Sequence, residues 1–400
     1  MNVALTDPAR WPLDESITFL NHGSFGSCPR AVLEFQREIR DRLERQPVRF
    51  FVRDLEAMLD EARARLAVFV GAAVEDLVFV PNATAGVNTV LRSLRFAPGD
   101  ELLVTDHEYN ACRNALDFVA ELSGAKVVVA RVPFPVGSTD EIVECVLRQI
   151  SVRTRLALLD HVTSQTGLVL PIARLVRALA ERGVDTLVDG AHAPGMVPLH
   201  LQELGAAYYT GNCHKWLCAP KGAGFLVVRR DRQLSVRPLV ISHGANSTRA
   251  DRSRFLLEFG WVGTSDPSAC LTVPKAIDLV GSLLPGGWPE VMRRNRELAL
   301  AARQLLGATL QIPLPCPDQM IGSLASLPIP DARDGQLSNN PLYLDPLQDR
   351  LLQEHGIEVP VIPWPAPPKR LLRISAQLYN SLPQYVRLAA ALKQEFPPRS

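Results

Sequence analysis

The sequence predicts an α/β protein: a mainly parallel sheet in a large domain, followed by a smaller α+β domain. Three observations predict it. Short apolar runs recur between residues 77 and 189, stretches with helical spacing separate them, and the rhythm stops after Gly224-Phe-Leu-Val-Val228. Strands that are apolar on both faces and alternate with amphipathic helices belong to a parallel sheet covered on both sides.

The elements follow in order. Before Phe19 the chain reads as an irregular arm, and from Ala31 to Val70 the pattern is helical with a break at Pro47. Leu77–Val80 is the first strand, and Thr84–Leu94 has helical spacing. Strands at Glu101–Val104, Lys126–Ala130, Leu156–Asp160 and Asp185–Asp189 then alternate with helices at Asn110–Leu122, Thr139–Ile150 and Ile172–Glu181. A long irregular stretch runs from Val228 to about Pro267. Glu290–Gly307 is helical, Arg370–Ser375 is a strand, and a helix lies near Pro383–Glu395. The expected division is a large domain over 18–268 and a small one formed by 1–17 with 269–400. Ligands of such sheets bind beyond the carboxyl ends of the strands. Attention therefore falls on Asn82–Gly86, Asp106–Asn110, His161–Gly167 and Asp189–His192.

Composition narrows the function. The 400 residues carry 43 Lys+Arg against 42 Asp+Glu, without the basic excess of a general nucleic-acid binder. No uncharged apolar run reaches the roughly 20 residues of a membrane span. Met1–Trp11 lacks the apolar core of a secretory signal. Seven widely spaced cysteines suit reduced thiols and a cytoplasmic location rather than a disulfide framework. His192, His214, Cys213 and Cys218 do not have zinc-ligand spacing, so no metal is expected.

The strongest chemical signal is Asp189-Gly-Ala-His192, followed 26 positions after the acid by Lys215 and then by Lys221-Gly-Ala-Gly-Phe-Leu226. An acid at the end of a buried strand and a lysine among small neighbours suit pyridoxal phosphate. The lysine can bond the cofactor aldehyde, and the acid can pair with the protonated ring nitrogen.

Seven segments in order extend this signal. They are Phe19-Leu-Asn-His-Gly-Ser-Phe-Gly26, Asn82-Ala-Thr-Ala-Gly-Val-Asn88, Asp106-His-Glu-Tyr-Asn110, Asp189-Gly-Ala-His-Ala-Pro-Gly195, His214-Lys215, Trp261-Val-Gly-Thr264 and Leu372-Arg-Ile-Ser375. On them the chain resembles the class V aminotransferase-like enzymes of pyridoxal-phosphate fold type I, within these the isopenicillin N epimerase-like group. The resemblance implies a sheet of seven-stranded type. It implies Lys215 as attachment point and proton-transfer base, Asp189 at the ring nitrogen, and His192 and Ser164 near the ring's phenolic oxygen. Tyr109 would stack on the face away from the lysine. Ala83, Thr84, Asn212 and His214 would bind the phosphate, with Thr264 supplied by a partner subunit. Arg373 would clamp the substrate carboxylate, while Asn21 and His22 would border the substrate.

The implied protein is a homodimer with active sites at the subunit interface, acting on a small amino-acid-type substrate without nucleic acid or membrane. Epimerisation, C–S lysis (of a cysteine conjugate or hercynylcysteine sulfoxide) and transamination share the opening steps, and all three stay open. A non-catalytic pyridoxal-phosphate-binding regulator is the contrasting class. Cysteine desulfurases of this class keep a nucleophilic cysteine in the loop before the substrate-binding arginine. Here His355–Arg370 is rich in proline and has no cysteine, which argues against that activity. Arg49 and Arg53, flanking an aromatic pair, read as a solvated helix face or as contacts for a distal acidic group.

Overall fold

The structure, a computed structural model, describes residues 6–332 and 345–397. Twelve strands are seen among the described residues. β1 (Thr18–Phe19) is followed by β2 (Leu77–Val80), β3 (Glu101–Thr105), β4 (Lys126–Ala130), β5 (Thr154–Asp160), β6 (Asp185–Gly190), β7 (Tyr208–Asn212) and β8 (Gly224–Val228). β9 (Leu324–Ile329), β10 (Ile357–Glu358), β11 (Val361–Pro363) and β12 (Arg370–Ser375) complete the set. Seven of them form one sheet in the order β2-β8-β7-β6-β5-β3-β4, as the family resemblance implies. It is parallel from β7 to β4, while β8 runs antiparallel to both of its neighbours.

Burial explains the composition of these strands. All five residues of β3 and of β7 are buried, as are six of seven in β5. A central strand covered by helices on both faces has no solvent side, so it shows no polar alternation. One cluster joins Leu103, Ala157, Leu159 and Val188 to Leu175 and Leu179 of the helix Ile172–Ala180. Another joins Leu102, Leu158 and Leu187 to Leu116 of the helix Asn110–Ser123.

The helix that follows β2 spans Ala83–Ser93. It starts where Asn82 accepts the Ala85 N–H at 2.9 Å, satisfying one of the amides a helix start leaves open. The helical region near Pro47 divides into Arg30–Arg45, a short π-helical turn at Phe50–Asp54, and Leu55–Val70.

A second sheet has β12 in its middle, antiparallel to β9 and β11. Its apolar side packs on Leu298, Ala302 and Leu306 of the helix Gly287–Leu310 and on Leu388 and Leu392 of the helix Leu382–Glu395. The N-terminal chain is tied in by β1, which pairs in parallel with β10. No described helix is long and apolar enough to cross a membrane.

Candidate active site

The carboxyl ends of β5 and β6 and the segment after β7 converge on Lys215. Asp160, the last residue of β5, and Asp189, the last but one of β6, stand in register, side by side. β7 delivers Asn212, and three residues further comes Lys215, directly after His214. Close packing brackets this segment. Gly195 has φ +86°, and a Cβ there would lie 2.6 Å from the Trp216 carbonyl carbon, so only glycine fits.

The Lys215 amine lies 3.0 Å from Nε2 of His192. The Trp216 indole N–H donates to His192 Nδ1 at 3.4 Å. With Nδ1 accepting, a neutral ring carries its proton on Nε2 and offers it to the amine. That arrangement suits the free amine. Burial and then the Arg373 charge bring the Lys215 pKa down to about 8. Burial, with the Lys215 charge added, pushes His192 well below the usual imidazole range. An aldehyde reagent is therefore expected to react at Lys215 faster as pH rises, levelling off above about 8. A rate that keeps climbing to 10.5, the ordinary lysine value, would contradict a depressed amine.

Asp189 is 2% exposed. Its Oδ1 accepts the Ala191 N–H at 2.8 Å, and its Oδ2 accepts the Cys112 thiol at 3.1 Å. Asn212 Oδ1 accepts the Ala83 N–H at 2.8 Å. Of the two amides expected to receive an anion, Ala83's is thus engaged by protein. The Thr84 amide has no partner among the described residues. His214 Nδ1 is buried without a partner, and burial holds its ring down to about 4.

Arg373 and Arg370 lie on β12, and both are buried. Arg370 is paired with Asp345 at 2.7 Å. Arg373 instead donates from Nη1 to the Ser164 carbonyl (2.6 Å) and hydroxyl (3.3 Å), and from Nη2 to the Ser24 hydroxyl (2.8 Å). Its Nε has no partner, and no carboxylate pairs with it among the described residues. A buried cation without a counter-ion is costly, so an anion from outside the chain is the expected partner. Burial lowers its pKa to about 10. Tyr109 is 42% exposed.

Two expected pocket residues have supporting contacts instead. His22 is fully buried, with Nδ1 2.8 Å from the Tyr379 hydroxyl and Nε2 3.0 Å from the Lys215 carbonyl. Both ring nitrogens are occupied, so His22 braces the lysine loop rather than facing a substrate. Asn21 donates to Glu358 at 2.9 Å and accepts from Ser24 at 2.6 Å, which places it behind the hydroxyl that holds Arg373. Thr264 is exposed on the loop after the helix Arg254–Gly260. Arg49 is exposed and pairs with Asp54 at 3.7 Å. Arg53 lines a cavity of about 400 Å³ with Phe51 and Trp261, whose walls include no residue of the Lys215 site. Sequence reading missed Trp216, Cys112, Glu108 and Asp160. The signal for the last was present, since two acids end neighbouring apolar strands.

A family model for aminotransferase class V matches residues 30–328. The chain is 38% identical over 396 residues to isopenicillin N epimerase of Amycolatopsis lactamdurans, covering 96% of each. It is 32% identical over 400 residues to a probable chloroplastic L-cysteine desulfhydrase of Arabidopsis thaliana, covering 95% of this chain and 83% of that one. Among solved structures, a C-DES variant with glycine covalently linked to its PLP cofactor matches with a TM-score of 0.78 at 22% identity. That match covers 96% of this chain and 98% of the other, and it speaks to the fold.

Proposed function

The chain belongs to the class V aminotransferase family and is a pyridoxal-phosphate-dependent enzyme acting on amino acids or their derivatives, and from that premise we propose that it epimerises its substrate at Cα. The observation that carries this reading is the 38% identity to isopenicillin N epimerase of Amycolatopsis lactamdurans over 96% of each chain, against 32% to the desulfhydrase of Arabidopsis thaliana.

The residues present fit the cofactor. Lys215 is an amine depressed to about 8, as attachment to an aldehyde requires. Asp189 is buried at a strand end, suited to the ring nitrogen, with His192 beside the lysine. The unpartnered Thr84 amide at a helix start and the orphaned His214 Nδ1 suit the phosphate. Asn212 fixes the first turn of that helix through Ala83.

Pyridoxal phosphate, when bound, supplies an electron sink that makes the substrate's Cα–H acidic. Arg373 holds the substrate carboxylate and so fixes which bond at Cα faces Lys215. Lys215 takes the Cα proton, and the His192 Nε2–H steadies the amine. Tyr109 returns a proton to Cα from the other side. Ser164 and Ser24 keep the guanidinium aimed, and a second copy of the chain covers the half-exposed Tyr109 and brings Thr264 to the partner's phosphate. The seven free thiols support a reducing, cytoplasmic setting.

The second reading is β-elimination of a sulfur leaving group, favoured by the 32% identity to the desulfhydrase. It needs one base and no Tyr109. Incubation with amino acids, L-cysteine and cysteine S-conjugates in D₂O separates the two. The expected result is deuterium at Cα with loss of optical activity; Tyr109→Phe should suppress the loss of optical activity while exchange on the Lys215 side continues. Pyruvate and a released thiol at full rate in Tyr109→Phe would replace the epimerase reading with the lyase one.

A further inference from the structure

Behind Asp189 lies a second layer of acid that the reaction does not use. Glu108 is 5% exposed and Asp160 2% exposed. Both oxygens of Glu108 and Oδ2 of Asp160 are fully buried, and no hydrogen bond of ordinary geometry to an N–H or hydroxyl donor reaches them. The Glu108 carboxyl neighbours the Asp160 carboxyl, the Asp189 carboxylate and the Tyr109 amide. Polar atoms of Glu108, Cys112 and Asp189 all lie within 4.8 Å of one another. On the other side Asp160 meets Asp189 in register, and the Lys215 charge reaches both. Tyr209 also feels Asp189, and its hydroxyl is held by His161, the residue after Asp160.

Three carboxylates cannot all be ionised in so dry a cluster. The donors decide which one is. Asp189 accepts an amide and a thiol, one on each oxygen. Glu108 and Asp160 have mainly each other, and two carboxyls in contact are satisfied when a proton lies between them. We propose that Glu108 and Asp160 form a proton-sharing carboxyl pair behind Asp189, positioning residues that keep Asp189 the ionised acid of the cluster. Burial first, and the neighbouring acids second, push both members well above the usual carboxylate range, and Asp189 is raised as well.

The pair has a consequence for the site. With its proton in place the pair carries one negative charge instead of two, and Asp189 stays the carboxylate free to meet the ring nitrogen's proton, its proposed partner. Without it, added negative charge behind Asp189 would draw a proton onto Asp189 itself. This inference rests on the proposed role of Asp189, but its test does not depend on turnover.

The test is infrared difference spectroscopy of the holoenzyme at neutral pH, wild type minus Glu108→Gln, in H₂O and D₂O. The expected difference contains a carboxylic-acid carbonyl band that moves on deuteration. Carboxylate bands alone would overturn the proposal, because neither member of the pair would then carry a proton. Should Glu108→Gln not fold, Asp160→Asn carries the same measurement. Cofactor binding reads the positioning role. Glu108→Gln, whose amide can donate to Asp160, should keep most of the affinity, whereas Glu108→Leu should lose about tenfold. Equal affinity in Glu108→Leu and wild type would overturn it. A failed epimerase assay leaves the infrared result standing.

Discussion

Replacing Lys215 with alanine is expected to lower turnover by about 10⁴-fold, the upper end of what one positioned base contributes. The magnitude follows from the geometry. The amine is the group at the site whose pKa lies near 8, so it can both take and return a proton near neutral pH. His192 cannot substitute, because burial and the lysine charge hold its ring neutral and poorly basic. Cofactor affinity should fall less than turnover, since Asp189, Thr84 and His214 remain. Steady-state kinetics with saturating cofactor and a separate binding titration check both statements. Activity within tenfold of wild type would remove Lys215 from the mechanism.

Replacing Arg373 with alanine is expected to reduce kcat/KM by about 10³-fold, chiefly through KM, as expected when one member of a desolvated charge pair is removed. Arg373→Lys should recover only part of this, because an ammonium lacks the planar fork that grips both carboxylate oxygens. Arg373→Met, which keeps most of the volume, should leave the cofactor-free chain as stable as wild type or raise its Tm. A buried guanidinium with no carboxylate partner costs stability that an apolar residue of similar size does not. Arg370→Ala should behave oppositely. It strands Asp345 and should destabilise by about 3–5 kcal/mol. Two arginines of one strand therefore give a stability contrast measurable by thermal denaturation. Equal stability losses in both variants would mean that Arg373 also has an internal counter-ion.

That contrast marks the limit of what the sequence made legible. Arg370 and Arg373 look alike in a strand pattern, and only the fold brings Asp345 to one and hydroxyls to the other. The parallel strands β3 to β6 were readable because full burial writes an unbroken apolar run. β7 was hidden, since Thr-Gly-Asn at its end carries the site rather than strand propensity. The reversed direction of β8 was invisible, because an apolar run has no polarity. Asp189, Lys215 and Arg373 stood out by residue type and order. His22 was expected to border the substrate because its motif borders the active site, and only coordinates show both ring nitrogens engaged. Cys112 was missed, yet its thiol donates to Asp189. Helical spacing placed it inward without saying which strand end it would meet.

The central claim is that Lys215 is where this chain holds its cofactor. Borohydride reduction of the pyridoxal-phosphate-loaded protein, followed by peptide mapping, tests it most directly. The account predicts one phosphopyridoxyl group, carried by Lys215 and absent from the Lys215→Ala variant. A label on Lys221 instead, or none on a protein that retains activity, would contradict it.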